Sequence, residues 1–166
     1  MKFSLALAFL LPLFLLGGCI SSYVPPTVVP VPRVGTEVAA SFGKTWDAVI
    51  DVFSERNIGI KTLDRSSGLI VAENASVRVA DAKEWADCGT LPGAHPNSPA
   101  AASLIAKTAK YNILVRGDST RTTVKATVQF SAPGMMTMWA PTDECQSRGV
   151  WEKGVEEQIS TRVQRK

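Results

Sequence analysis

Apolar residues recur every three or four positions across Lys44 to Asn57. Trp46, Val49, Ile50 and Phe53 fall on one face, with Asp47, Asp51 and Glu55 elsewhere. That spacing predicts an amphipathic helix over 44–57, and Asn57 with Gly59 suits its stop. The period then changes. The stretches IGIKTLD (58–64) and GLIVAENASV (68–77), separated by Arg65-Ser66-Ser67, predict a β-hairpin whose turn Gly68 assists. A second hairpin is predicted from YNILVRG (111–117) and TTVKATVQFSA (122–132), turning around Asp118-Ser119-Thr120. In its second strand Val124, Ala126, Val128 and Phe130 alternate with Lys125, Thr127 and Gln129, the mark of a half-buried strand. Near the end, Trp151, Val155, Ile159 and Val163 recur every four residues and predict a C-terminal helix with Ser147 as N-cap. Between the hairpins, Gly89 to Ser103 is rich in Gly and Pro and reads as an irregular loop. Two helices with one-sided apolar stripes and about four strands in two hairpins are satisfied by a two-layer α+β domain. Its antiparallel sheet packs against the N-terminal and the C-terminal helix.

The first residues follow another pattern. Met1-Lys2 precedes an apolar run, Phe3 to Leu16, of 14 residues. A membrane-spanning helix needs about 20. The run instead matches the h-region of a cleaved signal peptide. It ends in Leu16-Gly17-Gly18-Cys19, which resembles the lipobox of bacterial lipoproteins. The resemblance implies cleavage after residue 18, a diacylglycerol on the Cys19 thiol and an acyl chain such as palmitate on the new amino terminus. Each buried methylene contributes about 0.8 kcal/mol, so three chains make an anchor that a single chain does not. Ile20, where many inner-membrane lipoproteins carry aspartate, makes the outer membrane, facing the periplasm, the expected site. Residues 19–36 hold prolines 25, 26, 30 and 32 and read as an extended tether. About 15 such residues at roughly 3.1 Å each would reach some 45 Å. Residues 37–166 form the single domain.

Removing the signal takes away Lys2, leaving 17 basic against 15 acidic residues. That balance, without a long basic patch, gives no reason to expect a nucleic-acid partner. With Cys19 lipidated, Cys88 and Cys145 remain. In an oxidising compartment such a pair is most simply a disulfide.

The stretch TWDAVIDVFSERNIGIKTLDRSSGLIVAE carries a second resemblance. A tryptophan-bearing helix, a strand, a polar turn with glycine and another strand are similar to the repeat domains of BamC-type lipoproteins. Those are accessory subunits of the outer-membrane barrel-assembly machinery. This chain has one such domain where that family carries two, and it adds the cysteine pair. The resemblance implies a non-catalytic accessory role and an envelope protein complex as partner.

Searching for chemistry changes little. His95, the one histidine, lies in a proline-glycine loop with no orienting partner in view. No spacing of His, Cys and carboxylates suggests a metal site, and no cofactor is implied beyond the lipid on Cys19. Asp47, Asp51, Glu55, Glu152, Glu156 and Glu157 fit solvent faces of the helices. Arg116-Gly117-Asp118 reads as turn chemistry, and Asn74-Ala75-Ser76 as a glycosylation pattern without use in a bacterium. An enzyme is not expected. Met135, Met136, Met138 and Trp139 cluster before Cys145 and are the candidate partner contact, with a role in the core as the other reading. Two further functions stay open: a carrier of a small hydrophobic ligand, and an inhibitor of a hydrolase.

Overall fold

The computed structural model describes residues 23–29, 32–74, 76–133 and 144–165. The signal peptide, Cys19 and the segment with Met135, Met136, Met138 and Trp139 lie outside the described residues. The protein is α+β. In chain order come β1 (Thr36–Val38), α1 (Phe42–Glu55), β2 (Gly59–Asp64), β3 (Leu69–Asn74), α2 (Val79–Trp85), β4 (Ala86–Asp87), α3 (Pro99–Ala102), β5 (Thr108–Gly117), β6 (Thr122–Ser131), β7 (Glu144–Ser147) and α4 (Val150–Arg165). The strands form one antiparallel sheet in the order β2-β3-β5-β6-β7-β4, with β1 also paired to β6.

Among the described residues, seven strands replace the expected four or so. The additions β1, β4 and β7 are three, two and four residues long, too short to carry a period-2 signature. Their partners are non-local: β1 pairs Thr36 with Val124, and β4 pairs Ala86 with Ser147. The two predicted hairpins are β2–β3 and β5–β6, with β3 paired to β5 between them. In β5 the inward residues Ala109, Tyr111, Ile113 and Val115 are buried while Lys110, Asn112 and Arg116 face solvent. A sheet with one such face needs one covering layer, and α1 and α4 supply it.

Local chemistry sets the ends of α1. The Ser41 hydroxyl accepts from the Lys44 N–H at 3.4 Å. At the other end Ile58 N–H reaches Phe53 C=O at 2.9 Å and Asn57 N–H reaches Ser54 C=O at 3.1 Å, with Asn57 at φ 54°. This is the Schellman arrangement, with asparagine in the left-handed position and Ile58 buried near Phe53. In the β2–β3 turn Gly68 has φ +70°, and a Cβ there would stand 2.1 Å from the Val115 carbonyl oxygen. Hydrogen bonds from the Ser66 and Ser67 hydroxyls, with the Ser67 amide, hold the Asp64 carboxyl down to about 2. The layer between helices and sheet is filled. Tyr111 stacks on Trp151 at 4.3 Å between ring centres, and Phe53 packs edge-on to Tyr111 at 6.4 Å.

The solvent-face assignment fails for two of the helix carboxylates. Glu156 and Glu152 are 1% and 5% exposed. The Glu156 Oε2 accepts from Arg33 at 2.7 Å and from the Thr36 hydroxyl at 2.7 Å, while its Oε1 accepts the Ala126 N–H at 2.9 Å. The reason is topological. β6 is paired along one edge by β1 at residues 122–124 and by β7 at 130–131, leaving a gap between them. The buried carboxylate fills that gap, taking the backbone donor that a strand would otherwise take. Glu152 sits one turn earlier and accepts from Ser147, whose hydroxyl also accepts the Gly149 N–H at the start of α4.

The described part of the tether is held against the body rather than standing off it. Tyr23 donates its hydroxyl proton to the Cys88 carbonyl, and Val24 and Thr90 exchange two backbone hydrogen bonds of 2.8 Å. The Thr27 and Val28 amides donate to Asp87 Oδ2, and Gly89 N–H to Asp87 Oδ1. Arg33 reaches Glu156, and β1 begins at Thr36, one residue before the expected domain start. Burial works to raise the Asp87 carboxyl. The hydrogen bonds from Gly89, Thr27 and Val28, together with the charge of Arg148, outweigh it and hold the carboxyl below its ordinary value. A depressed carboxyl contributes stability above the ordinary value, and that stability is lost as pH falls through the folded value. In an NMR pH titration the Thr27, Val28 and Gly89 amides should therefore move together, with a common midpoint below the usual ~3.9. Separate midpoints would detach the strap from this carboxyl.

Candidate binding cleft

Four elements converge beside the filled core. The Schellman turn after α1 brings Arg56, Asn57 and Ile58 to one side. The turn into α2 contributes Val77 and Arg78, and α2 itself Asp81 and Trp85. Tyr111 of β5 and Trp151 of α4 make the floor. Together they enclose an open cleft of about 580 Å³, within the range that takes small molecules or a few side chains.

Electrostatics separates the two arginines. Arg78 forks onto Asp81, with its Nε 2.7 Å from Oδ2 and a terminal nitrogen 3.0 Å from Oδ1, and that carboxylate raises its pKa. The pair is neutral overall. Arg56 instead donates its Nε to the amide oxygen of Gln158 at 2.8 Å, a neutral partner. It enters none of the ion pairs among the described residues. Burial lowers its pKa, and Tyr111 acts weakly in the opposite direction. A guanidinium remains charged under all physiological conditions. The cleft therefore holds one partly desolvated positive charge that forms no ion pair with a carboxylate among the described residues. Trp85, half-buried and 6.5 Å from the Phe130 ring centre, supplies an aromatic wall.

No protein-family model matches the chain, and no curated protein matches it.

The cleft lining holds no histidine or cysteine, and its carboxylate is taken up by Arg78. His95 is exposed, its Nδ1 accepting the Asn97 N–H. Among the described residues no three His, Cys, Asp or Glu side chains gather as metal ligands, and no helix is long and apolar enough to cross a membrane. Cys88 and Cys145 are joined by a disulfide, tying the end of β4 to β7. The Arg116-Gly117-Asp118 tripeptide closes the β5–β6 turn, where Asp118 Oδ1 accepts the Thr120 and Arg121 amides.

Sequence reasoning missed Arg56, Arg78, Asp81 and Trp85. The i, i+3 pair Arg78–Asp81 with Trp85 a turn later is a signal for α2, but the helix is seven residues long. The isolation of Arg56 carries no sequence signal at all, because it depends on which side chains fail to reach it.

Proposed function

We propose that this chain is a non-catalytic outer-membrane lipoprotein, anchored through Cys19 and facing the periplasm, that binds another envelope protein as an accessory factor. Barrel-assembly and secretion or surface complexes are the type of partner assembly. The observation that carries the reading is the open aromatic cleft with its uncompensated Arg56, in a domain whose helix–sheet layer is otherwise filled. A filled layer speaks against the carrier reading, which needs room between sheet and helices. The Leu16-Gly17-Gly18-Cys19 signature supports the anchor, and the anchor confines the cleft to one leaflet, raising its effective concentration for membrane partners.

The test is site-specific photocrosslinking in living cells. A photoreactive residue at Trp85 should capture one envelope protein in a discrete adduct, and the same residue at exposed Thr127 should not. Capture of only a hydrolase would move the assignment to the inhibitor reading. Absence of any adduct at position 85 would sink the cleft as a partner surface.

A further inference from the structure

We propose that the cleft recognises an acidic peptide segment, in which a carboxylate side chain adjoins an apolar or aromatic one. This rests on the reading of the cleft as a partner surface and names the chemistry of what enters it.

The argument is one of complementarity. Arg56, Arg78 and Asp81 leave the cleft with a single net positive charge, carried by Arg56. Its Nε is fixed by Gln158. A guanidinium anchored at Nε presents its terminal nitrogens as a fork, the geometry that takes a carboxylate bidentately. Burial already disfavours the charge on Arg56. An incoming carboxylate returns the interaction that desolvation removed, so binding is selective for the ionised group over a neutral isostere. Beside the fork, the half-buried Trp85 matches an apolar or aromatic side chain rather than a hydrated dianion, and the buried Tyr111–Trp151 stack backs the cleft from beneath. A phosphate group would bring two charges to a site with one to offer, and would find aromatic surface where it needs donors. A cleft of about 580 Å³ accommodates two adjacent side chains.

The experiment uses the full-length lipoprotein in detergent, with the tryptophan indoles labelled for NMR. The probes are the blocked dipeptides N-acetyl-Phe-Glu-amide and N-acetyl-Phe-Gln-amide, which differ in the carboxylate alone. The Glu probe should shift the Trp85 and Trp151 indole signals saturably, and bind about tenfold more tightly than the Gln probe. Arg56→Gln should abolish that preference, while Arg56→Lys should keep part of it. The Trp46 indole lies outside the cleft, and its unchanged signal reports that each variant is folded. Equal binding of the two probes, or a preference that survives Arg56→Gln, overturns the inference. These outcomes are separable from the crosslinking result. A captured partner with no Glu preference leaves the partner surface standing and removes only its acidic chemistry. Glu preference without a partner removes the accessory role alone.

Discussion

Replacing Glu156 with alanine should lower the thermal unfolding midpoint by about 10 °C or more, corresponding to roughly 3–5 kcal/mol. The substitution strips three donors at once. Arg33 loses its 2.7 Å ion pair, the Thr36 hydroxyl its acceptor, and the Ala126 N–H its acceptor in the gap between β1 and β7. A buried backbone donor left alone costs about 1–3 kcal/mol by itself. Glutamine at 156 should fall between, since its amide oxygen can serve one donor while its NH₂ faces others. Removing both partners, as Arg33→Met with Glu156→Leu, should recover part of the loss but not the Ala126 component. An alanine variant melting with the wild type would show that the N-terminal segment and β6 are not joined through this carboxylate.

Removing the disulfide should have an effect of similar size. Cys88 and Cys145 are separated by 57 positions, and closing a loop of that length contributes roughly 4 kcal/mol on the chain-entropy estimate. The Cys88→Ala, Cys145→Ala double variant should show that loss as a lower urea midpoint. A second effect follows from what sits around Cys88. Its carbonyl accepts from Tyr23, and its neighbours Asp87 and Thr90 hold Thr27, Val28 and Val24. Loosening β4 should therefore free the strap, and trypsin should cut after Arg33 faster than in the oxidised protein. If cleavage at Arg33 is unchanged while the urea midpoint falls, the strap is held by Glu156 and not by the β4 turn.

The parts of this fold that the sequence makes legible are those with long, regular periods. The Trp46–Phe53 stripe marks α1, although capping by Ser41 starts the helix at Phe42, two residues before the predicted start at Lys44. The alternation of Val124 to Phe130 marks β6, and the Trp151 spacing marks α4. What stays hidden is short or relational. Two to four residues of β1, β4 and β7 acquire their conformation from partners far along the chain, such as Thr36 from Val124. Glu152 and Glu156 carry the residue type of a solvent face, yet Glu156 is buried where Arg33, Thr36 and a gap in the sheet meet it, and Glu152 where the Ser147 hydroxyl donates to it. The tether prolines do not prevent docking either, since Val24, Thr27 and Val28 supply the amides that bind. For the site the disulfide pair was readable from two cysteines and a compartment, whereas the cleft was not. Its defining property is an arginine with a neutral neighbour, and that is a statement about three-dimensional surroundings.

The docked strap also decides how the domain would answer to a pull. Tyr23 follows Cys19 by four positions, so with the proposed lipid on Cys19 any tension from a moving bilayer would enter the fold at Tyr23 and Val24. There it would meet the turn at Cys88–Thr90, which the sulfur–sulfur bond ties to β7, next to the β4 edge of the sheet. The three-residue strand β1 lies further along the chain and is loaded only after those contacts have yielded. Under the proposed anchor the strap would work as a strain relief: shear at the membrane would be taken up by a short, re-formable seam before it could begin to unzip the edge of the sheet.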